Sequence, residues 1–241
     1  MPKESLAFAL DFPTLADALP TLDSLSGLIG FAKIGLELFT REGPDAVRRT
    51  RAAGTEVFLD LKLHDIPETV ERAVSAACSL DVRLLTIHCS GGPAMIERAV
   101  QRAAADASGL KLVGVTVLTS LDAADLEAVG VHAPPAEQVV RLAAMAWKAG
   151  LRAFVCSPRE VGALRTALGP EATLVTPGIR LSGAATHDQK RAATPGSAIL
   201  DGADILVVGR PIRDALAPRD VARQIVAEVD AALAQRTPSV P

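Results

Sequence analysis

"FLDLKLHDIPETV", residues 58–70, holds a strand, a turn and the opening of a helix in one short span. Its first half alternates: Leu59 and Leu61 point one way, while Asp60 and Lys62, two apart, share the other face. Its second half opens a helix at Pro67, where a missing N–H costs little. The charges Asp60, Lys62 and Asp65 therefore lie either at the solvated end of the strand or in a water-poor pocket that keeps them for a reason. With the leucines turned toward helices, Asp60 and Lys62 face the interior of the sheet. Asp and Lys are seldom buried without partners, so an inward pair is expected to be bonded within itself or to further charges.

Outward from this unit the same alternation recurs along the chain. Candidate strands are 6–12, 31–35, 56–62, 84–89, 112–118, 153–157, 173–178 and 205–209, separated by stretches of helical period rich in Ala, Leu, Arg and Glu. In 135–150 the residues Val139, Leu142, Ala143, Ala146 and Trp147 trace one helical face, and Gly150 suits its end. Strands alternating with helices imply a parallel sheet with helical crossovers. A (β/α)8 TIM barrel, an α/β fold of about 250 residues, fits both length and strand count. A doubly wound open sheet competes, but no G-x-G-x-x-G follows the first strand. With no low-complexity linker, the reading is a single domain over 1–235, and the tail 236–241 is expected to fray.

The composition narrows the function. Among 241 residues, 49% are hydrophobic and 22% charged, which provides for a sizeable core and argues against disorder. A net charge of −3 and a pI near 5.8 leave no basic footprint for nucleic acid, while a local site can still attract a small anion. Cys78, Cys89 and Cys156 form no C-x-x-C pair and lie in apolar surroundings, as reduced core residues do. The four histidines have no metal-ligand spacing. No run approaches the roughly 20 apolar residues that span a bilayer, and the first apolar stretch is too short for a signal peptide. The expectation is a soluble, cytoplasmic protein with no membrane partner.

In such a barrel chemistry collects at the carboxyl ends of the strands. The polar residues at the expected ends are Asp11, Lys33, Asp60, Lys62, His88, Thr119, Ser157, Arg180, Gly209 and Arg210. Wet strand ends explain any one of these but account poorly for the set. Lys33 and Asp65 could join Asp60 and Lys62 in an alternating arrangement of ammoniums and carboxylates. A purely structural ion-pair cluster is the competing reading. "TPGIR" (176–180) and "VVGRPI" (207–212) place Gly178, Gly209 and Arg210 after the last two strands, where such barrels often hold phosphate. The long polar segment 180–198 suits a lid, or a plain surface excursion.

In order along the chain, "LDF", "KIGLELF" (33–39), "DLKLHDIPETV" (60–70), "TIHCSGG" (86–92), "TVLTS" (116–120), "TPGIR", "DQKR" (188–191) and "VVGRPI" closely resemble the orotidine 5′-phosphate decarboxylase family. The resemblance implies a homodimeric barrel with no metal or organic cofactor, acting on orotidine 5′-monophosphate to release uridine 5′-monophosphate and carbon dioxide. It implies Lys62 as proton donor to C6, with Lys33, Asp60 and Asp65 in the charged network. Asp65 and Thr69 would cross into the neighbouring subunit's site. Asp11 and Lys33 would contact the ribose and Thr119 the pyrimidine edge. Gln189, Arg210 and the Gly209 backbone would hold phosphate, with Arg180 beside them; His88 keeps the family's place without an assigned role. Alternatives are a magnesium-dependent sugar-phosphate decarboxylase or aldolase of the same superfamily, a Schiff-base aldolase using Lys62, and a catalytically silent phosphate-binding barrel. Lys33, where the magnesium-dependent relatives carry Glu, together with Thr119 and Gln189, favours the nucleotide.

Overall fold

Each strand pairs in parallel with its neighbours in chain order: β1 (Leu6–Ala9), β2 (Phe31–Gly35), β3 (Glu56–Leu63), β4 (Leu84–His88), β5 (Lys111–Val115), β6 (Ala153–Val155), β7 (Thr173–Thr176) and β8 (Ile205–Val208). β8 returns to β1, with Leu6 opposite Leu206 and Phe8 opposite Val208, so the sheet closes into the expected (β/α)8 barrel. The structure is a computed structural model that describes residues 2–106, 109–181 and 193–236.

Alternation along each strand sorts side chains into two cores. Ala7, Phe58, Leu84, Val113, Ala153, Val175 and Ile205 fill the barrel axis. A larger apolar layer lies between the sheet and the helices and includes Phe8, Leu59, Leu85, Phe154 and Leu206. The helices supply the other side of that layer at helical spacing. Pro67–Cys78 buries Val70, Val74, Ala77 and Cys78, and Pro135–Lys148 buries Val139, Ala143 and Ala146. All three cysteines are buried and free, and burial pushes the Cys89 and Cys156 thiols up to about 12, so neither is a ready nucleophile.

Several strands stop short of their expected carboxyl ends. β1 stops at Ala9, although Leu10 N still donates to Lys33 O at 2.9 Å; β5 stops at Val115 and β7 at Thr176, before Pro177. The displaced residues serve the mouth instead of the ladder: Val117, Leu118 and Pro177 line one cavity there, and Leu10 and Asp11 line another.

At the opposite face, Asp204 just before β8 accepts from Leu174 N at 2.8 Å and from Arg165 Nη2 at 2.6 Å. Arg165 also donates to the carbonyls of Gly169, Ala172 and Gly202. Arg236, the first residue of the expected tail, donates to Ala203 O at 3.1 Å; residues 237–241 lie outside the described residues. Among the described residues no helix is long and apolar enough to cross a membrane.

Candidate active site

β3 does not run as a regular strand to its end. Leu59 pairs with Leu85 but Leu63 with Ile87, so β3 spends four residues where β4 spends two. Within this bulge Lys62 adopts φ 51°, a left-handed backbone that non-glycine residues seldom occupy. Leu59, Leu61 and Leu63 still face the helices, while Phe58, Asp60 and Lys62 line the cavity at the barrel mouth. The inward facing of Asp60 and Lys62 thus agrees with simple alternation, but the bulge sets the aim of Lys62.

The freed backbone at the bulge is not left wanting. Lys62 N donates to Thr86 Oγ1 at 2.8 Å, and Thr86 Oγ1 donates onward to Asp60 Oδ1 at 2.9 Å. Lys62 Nζ lies 2.8 Å from both Asp60 oxygens, a bidentate clasp. Lys33 Nζ, from β2, stands 3.5 Å from Asp60 Oδ2 and 3.5 Å from Asp11 Oδ1. Asp11, Lys33, Asp60 and Lys62 therefore form one alternating chain of charge. Asp60 is its buried centre at 13% side-chain exposure, against 49% for Asp11 at the rim.

Burial would push the Asp60 carboxyl up, but Lys33 and Lys62, with hydrogen bonds from Lys62 and Thr86, together hold it below the ordinary value. His88 stands at the end of β4 with its ring 5.3 Å from that of His64. Burial first, then His64 and Lys62, lower its pKa against the opposing pull of Asp60. The mouth cavity has a volume of about 170 Å³. Lys33, Asp60 and Lys62 form its charged side, Val115, Val117, Val155, Val175 and Val207 its apolar wall, and Thr119 sits on its edge. A second recess of about 200 Å³ shares Lys33, Asp60 and Lys62 and extends past Asp11 to Glu37.

Other expected residues fall elsewhere. Asp65 is exposed, its Oδ1 accepting from Ile66 N at 2.7 Å, and Thr69 is exposed on the next helix; neither is gathered to Lys62 within this chain. Ser157 is buried in a turn where its N–H donates to Glu160 Oε2, and it does not line the cavity. Gly178 has φ 83°, which a side chain would strain, and Arg180 N donates to Ala193 O across the base of the following loop. Gly209 needs its missing side chain for a different reason: a Cβ there would stand 3.1 Å from Asp11 Oδ2. Arg210 is half-buried and opens the short helix Arg210–Arg213. Gln189 and most of the expected lid lie outside the described residues. Thr86 was not singled out from sequence. Its signal was faint, a lone hydroxyl among the apolar residues of "LLTIH" on the inward parity.

A sequence model of the orotidine 5′-phosphate decarboxylase / HUMPS family matches residues 4–225. Among curated relatives, the orotidine 5′-phosphate decarboxylase of Anaeromyxobacter sp. (strain K) is 52% identical over 226 residues, 94% of this chain and 98% of the relative. That of Opitutus terrae is 50% identical over 224 residues, covering 93% and 97%. Among solved structures, the crystal structure of orotidine 5′-phosphate decarboxylase from Lactobacillus acidophilus superposes with a TM-score of 0.82 at 34% identity, covering 94% of this chain and 99% of that one.

Proposed function

The chain belongs to the orotidine 5′-phosphate decarboxylase / HUMPS family, and on that premise we propose that Lys62 delivers the proton that replaces the departing carboxylate of orotidine 5′-monophosphate. The activity is that of a carboxy-lyase, yielding uridine 5′-monophosphate and carbon dioxide in de novo pyrimidine biosynthesis. When the bond from C6 to the carboxylate breaks, its electron pair stays on C6, which the ring delocalises poorly. A fixed ammonium beside that carbon stabilises the charge as it develops, then gives up a proton to form the C6–H bond. Lysine suits this step because its compact charge can release a proton, unlike a guanidinium. Asp60 clasps the ammonium at 2.8 Å through both oxygens, and this single observation carries the reading.

The apolar wall of the cavity offers a surface for the pyrimidine ring opposite the charged side. The remaining assignments follow the same premise. Asp11 and Lys33 contact the ribose and Thr119 the pyrimidine edge. Gln189, Arg210 and the Gly209 backbone hold the phosphate beside Arg180. The step needs neither metal nor organic cofactor, since Lys62 supplies both charge and proton. We assign one barrel domain to 1–235 and place the enzyme in the cytoplasm as a homodimer. Asp65 and Thr69 would reach the partner's site; their exposure, with Ile66 next to Asp65 at 66% exposed, supports that face as the contact.

Purified protein should change the ultraviolet absorbance of orotidine 5′-monophosphate, and should go on doing so in chelator. Lys62→Ala should lower turnover more than about a thousandfold while leaving the fold intact. Turnover near the wild-type rate in that variant would remove Lys62 from the chemistry.

A further inference from the structure

The carboxyl ends of β1 and β8 are joined by a side chain that the chemistry above does not use. Arg213 closes the short helix after β8. Its Nε and Nη2 donate to Oδ1 and Oδ2 of Asp214 at 2.6 and 3.1 Å, which orients the guanidinium plane. Its Nη1 then donates to the main-chain carbonyl of Asp11 at 2.9 Å. The Asp11 carboxylate is half exposed and lies where two glycines leave it room. Its Oδ1 faces Lys33 Nζ, and a Cβ at position 209 would stand 3.1 Å from its Oδ2. On the other side, a Cβ at position 35 would stand 3.3 Å from Lys33 Nζ and 3.9 Å from Asp11 Oδ1. Two glycines thus leave the space that the Asp11–Lys33 pair fills. Asp11 is half in solvent and its distance to the buried Lys33 ammonium is 3.5 Å, so this ion pair alone holds Asp11 only weakly. The backbone anchor from Arg213 supplies what the ion pair does not.

We propose that Arg213 is a positioning residue for the decarboxylation: it anchors the Asp11 backbone and so holds the Asp11 carboxylate between Lys33 and Gly209, in register with the anion loop after β8. This rests on the reading of the mouth as the nucleotide site with Asp11 at the ribose. The task requires a fork, because one group must satisfy two carboxylate oxygens and a carbonyl together; lysine offers a point charge without that geometry.

The test is steady-state turnover by wild type, R213A, R213K, D11A and the R213A/D11A double variant, on orotidine 5′-monophosphate and on orotidine lacking phosphate. R213A should lower kcat/KM about tenfold on both substrates, since misplacing a contact by a fraction of an ångström is costly. R213K should restore little of the loss. In the D11A background, adding R213A should change kcat/KM by less than about twofold, as expected for two residues acting as a unit. An undiminished loss in that background would mean that Arg213 merely closes β8 onto β1. A loss confined to the phosphorylated substrate would make it a phosphate ligand. Wild-type rates in R213A would leave it no part. Each of these overturns the proposal. If R213A fails to fold, R213Q, which keeps two of the three stem methylenes and an amide with two N–H donors, takes its place in the cycle. Absence of turnover in the wild type would strike the functional reading alone, and binding of uridine 5′-monophosphate and uridine to the same variants would then carry the Arg213 test.

Discussion

Lys62 holds a left-handed backbone at φ 51°, a conformation that costs about 1–3 kcal/mol for a residue with a side chain. It persists because both ends of the residue are tied: the N–H to Thr86 and the ammonium to Asp60. Asp60 is therefore the residue whose loss would be felt most widely, since two ammoniums would then face each other with no carboxylate between them. Asp60→Asn should cost about 3 kcal/mol of stability at neutral pH. The sign of its pH dependence follows from the lowered pKa. The folded state holds the Asp60 proton less tightly than the unfolded chain, whose carboxyl titrates near 3.8. The stabilisation is thus complete above that value and is lost as pH falls through the lower folded value. Urea unfolding of wild type and Asp60→Asn across pH should show a gap that is constant near neutrality and closes in acid. A gap independent of pH would mean that ionised Asp60 is not what the variant removes. At this scale the sequence was informative about charge and silent about hydroxyls. Asp60 and Lys62 stand out because ions are rarely sent inward without partners, whereas a threonine is an ordinary strand residue and Thr86 gives no such warning.

Among the elements, β3 carries the proposed proton donor and the loop before β8 carries an ion-pair anchor. The outward leucines of β3 keep their face through the bulge, which is why alternation predicted the right side for Asp60 and Lys62. The bulge itself was not legible, because it contains no glycine and its cause is the pairing with β4. At the amino-terminal face, Arg165 joins the end of helix Val161–Leu168, the start of β7 and the approach to β8 through Asp204 and several carbonyls. Arg165→Ala should lower stability by about 2 kcal/mol, because it takes the guanidinium from Asp204, which keeps Leu174 N and Arg236, and leaves the carbonyls of Gly169 and Ala172 short of a donor. Per folded molecule, kcat should be unchanged, since the site lies at the other end of the strands. Chemical denaturation with active-site titration separates the two; a fall in kcat with stability intact would contradict the division of labour between the barrel's faces.

For the whole molecule, closure of the sheet brings residues from β1, β2, β3 and β4 to one mouth, yet leaves Asp65 and Thr69 exposed and outside the cavities that Lys62 lines. If a second copy supplies them, Lys62→Ala and Asp65→Ala protomers, each nearly inactive alone, should regain activity when unfolded and refolded together. Random assortment into dimers with shared sites predicts recovery of about a quarter of wild-type activity. No recovery would mean that Asp65 serves its own chain. The barrel, the order of its strands, the burial of the cysteines and the inward facing of Asp60 and Lys62 were all determined by local sequence, because each follows from a repeat of two or of 3.6 residues and from the cost of burying charge. The left-handed turn at Lys62, the threonine bridge to Asp60 and the hold of Arg213 on Asp11 were decided only by tertiary structure. Each depends on a neighbour from another strand, and no periodicity within a segment encodes the distance to a residue that folding alone brings near.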